Sequence, residues 1–270
     1  MNPSTIKFPR PRGRPRAKDG AALDHATRLI LRVCQLAGSA SFVADARESL
    51  EAEGVHAAVR TRNTAALFDW NQTAYALHLF IRDVAGGDLV GWIDRRLNTA
   101  AKQPGPDRLA RMRAAALDPL KEVYGVSDKV LMMALSVLFL GAPGRRRRWR
   151  EVGGSMIAVD TLVHNFLHRT GILRRFRADH GYGLACYRLG GCAEIIETVA
   201  ELIDARQFNR RFPRTFPRFV QHAIWRYCSQ QGLDICNGNQ IDDQKRCDNK
   251  ECALYSICER KILFMPHKST

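Results

Sequence analysis

No apolar stretch in this chain approaches the ~20 residues needed to cross a bilayer as a helix. The longest candidate, Val130 to Gly141, reads as a buried helix. No membrane role through a spanning segment is therefore expected. Convincing runs of alternating β-branched residues are missing, and so are internal repeats, which argues against sheet-based and solenoid architectures. The positive N-terminus has no apolar core after it, so a secretory signal is not expected and the protein is assigned to the cytoplasm or nucleoid. Tight Cys-x2-Cys knuckles, the usual mark of a small zinc domain, do not occur. Acidic residues are scarce: 27 Asp and Glu stand against 42 Lys and Arg, a net charge of +15. Such an excess favours a polyanionic partner, nucleic acid before anionic lipid.

What is present is helical. At 270 residues and 46% hydrophobic content the chain can bury a substantial core. Leu23 to Ala37 carries apolar residues at Leu29, Ile30, Val33, Cys34 and Leu36, an amphipathic period. Thr64 to Val84 and Leu89 to Ala100 continue the pattern on either side of Gly86-Gly87. Arg108 to Leu117 follows the turn-rich Gln103 to Asp107, and Asp118-Pro119 is read as the start of a separate short helix ending near Val123. Further helices are expected over Ala193 to Ala205 and Val220 to Gln230. The fold class is all-α.

Four stretches carry chemistry. The first twenty residues, rich in Pro, Gly and Arg, lack apolar periodicity and are expected to be disordered. Within them Arg12-Gly13-Arg14-Pro15 resembles an AT-hook core, narrow enough for the minor groove of A·T-rich DNA. The second stretch is a helix, the turn Gly125-Val126-Ser127-Asp128, and a long apolar helix opening at Lys129. The backbone amides of such a corner, Gly125 and Ser127 among them, can hold a DNA phosphate. Downstream, Ile157-Ala158-Val159-Asp160-Thr161 brings a carboxylate to the start of another helix. Between the two lies Ala142 to Met156, read as a loop or basic finger in which Arg145, Arg146, Arg147, Arg148 and Arg150 surround Trp149. There the arginines would meet phosphates and the indole would stack on or wedge beside bases.

The third and fourth stretches hold the cysteines. Cys236-x10-Cys247-x4-Cys252-x5-Cys258 sets four soft ligands in a short loop, suited to an iron–sulfur cluster or to zinc. Cys228 is an alternative first ligand. Cys186 and Cys192, with no further ligands apparent near them in sequence, are read as buried or incidental.

Gly125-Val126-x-x-Lys129-Val130, the Val159-Asp160-Thr161 segment and Phe166-Leu167-His168-Arg169-Thr170 together resemble the helix-hairpin-helix DNA glycosylase superfamily, which includes endonuclease III and 8-oxoguanine glycosylase. The last cysteine interval matches that of the family's terminal loop, normally Cys-x6-Cys-x2-Cys-x5-Cys; the first two intervals are longer here. Ser127 replaces the hairpin's second glycine.

The resemblance implies a two-lobed helical fold. Residues 21–63 and 150–235 would form the lobe carrying the catalytic aspartate, and 64–149 a helical lobe with the hairpin. Residues 236–260 would form the cluster loop, flanked by the 1–20 arm and a 261–270 tail. It also implies base excision on double-stranded DNA by a monomer. Asp160 would stabilise an oxocarbenium-like sugar, Lys129 would form a Schiff base for AP-lyase chemistry, and Cys236, Cys247, Cys252 and Cys258 would hold a 4Fe-4S cluster, with zinc as the alternative. A plainer assignment of the same residues gives Lys129 a phosphate contact and Asp160 a helix cap. The competing class is a non-catalytic architectural or regulatory DNA-binding protein. Asp128, next to Lys129, could pair with it and hold it protonated.

Overall fold

The structure is a computed structural model that describes residues 20–45 and 64–263. The AT-hook-like arm with Arg12 and Arg14 lies outside the described residues, as do 46–63 and 264–270. Among the described residues there are helices and turns and no strands, as the sequence pattern requires.

Among the described residues ten α-helices follow in order: α1 Gly20–Ala37, α2 Thr64–Leu79 with a wider last turn over Phe80–Val84, α3 Leu89–Ala101, α4 Arg108–Lys121, α5 Asp128–Leu140, α6 Arg147–Ser155, α7 Thr161–Arg169, α8 Ile172–Arg175, α9 Cys192–Ala200 and α10 Pro217–Cys228. They enclose two apolar cores. One gathers α1, α7, α8, α9 and α10, with Leu29, Phe166, Ile196 and Phe219 fully buried. The other is built from α3, α4, α5 and α6 around Ile93, Met112, Phe139 and Trp149. The chain passes from the second core to the first between Met156 and Ile157, later than the division at 149/150 expected from sequence. Asp160 therefore follows directly on the crossing.

α1 shows how local sequence selects its neighbour. Ala26, Leu29, Ile30, Val33, Cys34 and Ala37 recur at intervals of three and four, so they form one stripe, and every one of them is buried. The stripe lies against α10, which opens with Pro217 in its first turn, where a missing N–H costs nothing. On α10, His222 stacks between Phe42 and Trp225, at 4.6 and 5.5 Å between ring centres. Burial, followed by the charges of Arg218 and Arg226, pushes its imidazole down to about 4, against a smaller opposing pull from Asp45. The folded value lies below that of the unfolded chain, so this contribution to stability is complete above pH ~6.5 and is lost as the pH falls toward 4, when the unfolded chain takes a proton the folded one refuses. A urea midpoint followed from pH 7 to pH 4.5 is expected to fall more steeply for the native protein than for His222→Gln.

Two expectations about segmentation are corrected. Asp118-Pro119 does not begin a new helix: α4 runs through it with Pro119 inside. A proline there removes the bond that would reach the carbonyl four residues back. That carbonyl, on Ala115, instead accepts from Arg96 Nε of α3 at 2.6 Å, so the helix continues with its acceptor satisfied. The expected helix over Ala193 to Ala205 also stops early, at Ala200; Asp204 then caps a short 3-10 turn, accepting from the Arg206 amide at 3.0 Å.

Candidate functional site

The corner between α4 and α5 is set by two residues. Gly125 has φ +78, a conformation that favours glycine, and a Cβ there would stand 2.1 Å from Thr73 Oγ1 of α2. Ser127 sits at φ −84 and ψ 158, so the position requires no glycine; its hydroxyl accepts from the Val130 amide at 3.4 Å and caps α5. At this position serine therefore supplies a cap and no glycine is needed. The α5 opening amides of Asp128 and Lys129 have no intrahelical acceptor, as at any helix start. Lys129 is half-buried. Asp128 pairs with Lys121 Nζ, at 3.4 Å, rather than with Lys129, and Lys129 makes no ion pair with any described residue.

Asp160 caps α7: one carboxylate oxygen accepts from the Val163 amide at 2.9 Å. The second oxygen has no hydrogen-bond partner among the described residues. Capping and chemistry are thus not exclusive, because the cap aims the carboxylate and leaves one oxygen free. The residue before it is fixed on both sides. The Val159 amide donates to the Tyr187 hydroxyl at 2.9 Å, and the same hydroxyl donates to the Val159 carbonyl at 3.2 Å. Burial pushes the Tyr187 phenol up to about 12, and the charge of Asp128 adds to that. The opening of α5 therefore lies within electrostatic reach of the ring that holds Val159 and Asp160.

A buried cation completes this side. Arg218, 7% exposed, donates to Gln221, and its Nε has no partner. Burial lowers its guanidinium to about 10, while the charges of Tyr187 and Asp160 favour the cationic form.

The basic finger is corrected. Arg147–Ser155 is α6, packed so closely on α5 that a Cβ at Gly153 would meet the Phe139 Cβ at 2.7 Å. Trp149 is 3% exposed and cannot stack on a base. Its indole N–H donates to Asp94 at 2.6 Å, and its ring lies 4.7 Å from that of Phe139. The helical period explains this: within RRWREVGG, Trp149 falls on the same face as Val152 and Gly153 and turns inward with them. Arg146 is spent in the same cluster, pairing with Asp94 at 3.1 Å and lying over the indole. Arg145, Arg147, Arg148 and Arg150 remain exposed. Trp149→Phe is expected to lower the unfolding free energy by about 1–2 kcal/mol in a urea titration, since it leaves a carboxylate oxygen unpaired while filling most of the space.

The terminal cysteines line a small, partly open cavity of about 20 Å³ at the ends of α7 and α10, formed by Cys236, Cys247, Cys252 and Cys258 together with Tyr227 and Arg169. The Arg260 amide donates to Cys258 Sγ at 3.3 Å, and the Tyr227 hydroxyl lies 3.1 Å from Cys252 Sγ. Cys228 is fully buried behind Cys236 and hydrogen-bonded to it, so Cys236 is the one that faces the cavity. Cys236 and Cys247 are buried and Cys252 and Cys258 half-buried, so the four thiols line one space.

A second group escaped the sequence reading. Cys186 and Cys192 are not incidental: the structure brings them together with His164 and His180, all four donor atoms within 4.8 Å of one another. This group could hold a metal ion. His164 stands one turn after Asp160 on α7, Cys186 lies in the 3-10 turn Leu184–Tyr187, and Cys192 opens α9. The signal was present in the sequence as His180-x5-Cys186-x5-Cys192, three soft donors at equal intervals in a glycine-rich stretch.

Among the described residues no helix is long and apolar enough to cross a membrane. In comparisons with protein families, curated proteins and solved structures, the chain has no match.

Proposed function

We propose that this chain is a DNA glycosylase of the helix-hairpin-helix type, with AP-lyase activity through Lys129. The observation that carries the reading is the half-committed carboxylate of Asp160, one oxygen spent on the α7 cap and the other without a partner among the described residues, together with Lys129 at the opening of α5. The chemistry follows from these groups. Double-stranded DNA binds with a phosphate on the amides of the Gly125–Lys129 corner and with the exposed arginines at the start of α6 along the backbone. The target base must leave the stack to expose its glycosidic bond. As that bond lengthens, positive charge grows on the sugar and the free oxygen of Asp160 stabilises it. The Lys129 amine then attacks the anomeric carbon as the base departs with the glycosidic electron pair; loss of the amine proton and opening of the C1′–O4′ bond give the Schiff base, and removal of a C2′ proton from it expels the 3′ phosphate by β-elimination.

Cys236, Cys247, Cys252 and Cys258 hold a 4Fe-4S cluster in this reading. Four thiolates saturate such a cluster, so its part is to fold the terminal loop rather than to react.

Borohydride trapping tests the proposal. Incubated with abasic and base-modified duplexes, the native protein is expected to form a covalent adduct that Lys129→Ala does not. Base release without an adduct would make the enzyme monofunctional. Absence of both on a broad lesion panel would favour a non-catalytic DNA-binding protein.

A further inference from the structure

The geometry points to a zinc site at His164, His180, Cys186 and Cys192, separate from the four-cysteine cavity. Three sulfur–nitrogen distances define it: Cys192 Sγ lies 3.4 Å from His164 Nδ1 and 3.4 Å from His180 Nε2, and Cys186 Sγ lies 3.5 Å from His164 Nδ1. A tetrahedral ion with bonds of about 2.3 Å to sulfur and about 2.0 Å to nitrogen sets a sulfur and a nitrogen ligand about 3.5 Å apart. Three of the four sulfur–nitrogen edges of such a tetrahedron already have that length, and all four donor atoms lie within 4.8 Å of one another.

The tautomer agrees. His180 Nδ1 is 2.5 Å from the Ala178 carbonyl, so it carries the proton and donates it there. This leaves the Nε2 lone pair directed into the group, the usual arrangement of a metal-bound imidazole. Cys186 and Cys192 are fully buried, His164 is 5% exposed and His180 is half-buried, so the site is shielded on three of its four ligands. With two thiolates, two imidazoles and no position left for water, the donor set suits Zn²⁺ in a structural role. Two neutral imidazoles and two thiolates also cancel the ion's charge, which is what burial demands. The ion would join the loop that carries Tyr187 to α7, and so to the backbone on either side of Asp160. Metal binding itself does not depend on the proposed reaction.

Metal analysis of the full-length protein, purified under reducing conditions without added metal, is expected to show one zinc per chain, counted separately from iron. Cys186→Ser/Cys192→Ser is expected to lose the zinc and keep the iron, and Cys34→Ser to keep both. A second measurement needs no variant. With zinc bound, Cys186 and Cys192 should resist iodoacetamide, and peptide mapping should show them alkylated once a chelator is added. Co²⁺ exchanged into the site should give the absorption of thiolate-bound tetrahedral cobalt. The proposal is overturned if reduced protein takes up neither Zn²⁺ nor Co²⁺, if zinc persists in the double variant, if the chelator leaves the alkylation of Cys186 and Cys192 unchanged, or if the two cysteines are recovered as a disulfide.

Discussion

Asp160→Asn is expected to reduce base release by roughly a thousandfold or more, about 4 kcal/mol in the barrier, while leaving the fold intact. The substitution separates the two roles this residue holds. Asparagine caps a helix about as well as aspartate, so the bond from the Val163 amide, 2.9 Å in the native protein, keeps an acceptor and α7 keeps its start. The negative charge near the sugar is lost. If Asp160 served only as a cap, Asn would retain full activity and Ala would cost about 1 kcal/mol of stability with proportionate loss of function. Single-turnover rates of Asp160→Asn and Asp160→Ala, measured beside their urea midpoints, decide between these outcomes. Equal, near-native rates in both would remove Asp160 from the chemistry.

The largest structural effect is expected at Arg169. This side chain is 2% exposed, at the end of α7, and it pairs with Asp243 in the terminal loop. Its carbonyl accepts from the Lys261 amide at 2.8 Å, so main chain and side chain both tie α7 to the cysteine loop. Arg169→Met keeps much of the volume but strands a carboxylate that is 24% exposed. Breaking a buried pair from one side costs about 3–5 kcal/mol; the residual exposure of Asp243 sets the expectation near about 3 kcal/mol. The second partner is informative. Arg169→Met/Asp243→Leu should recover a large part of the loss, because it removes both charges instead of orphaning one. Denaturant titration of the two variants, with iron content measured alongside, is the check. A double variant no more stable than the single would mean that Arg169 acts through the cavity it lines rather than through Asp243.

Much of this arrangement was legible in the chain, and the illegible parts share a cause. The buried stripe of α1, the glycine corner before α5 and the capping position of Asp160 are local patterns, so the residues that set them are neighbours in sequence. Pro119 reads as a break because the group that rescues its helix, Arg96, lies 19 positions from the Ala115 carbonyl it satisfies. Trp149 among arginines reads as a surface aromatic because its partner, Asp94, lies 55 positions away on another helix. The metal-ligand group is intermediate. His180, Cys186 and Cys192 form a visible series, but His164 reaches them from the helix that Asp160 caps, and only the fold supplies the fourth donor. Charge was similarly blunt. It favours a polyanionic partner, yet only the packing of α6 divides its arginines into those that face solvent and the one, Arg146, that is held by Asp94.

The two cores also impose an order on synthesis. Helices α3 to α6 find their partners among near neighbours, so their core can close as soon as it leaves the ribosome. α1 cannot close so soon. Arg226 of α10 donates to the carbonyl of Ala37 across 189 positions, and although α1 also meets α8 and α9, it packs most extensively on α10, the last of them to be made. At ribosomal speeds of about 5–20 residues per second, the apolar face of α1 waits roughly 10–40 s for its partner. The first of the described helices thus waits for its main partner, and during that interval the nascent chain presents a sticky apolar helix face beside a lobe whose partners are already made.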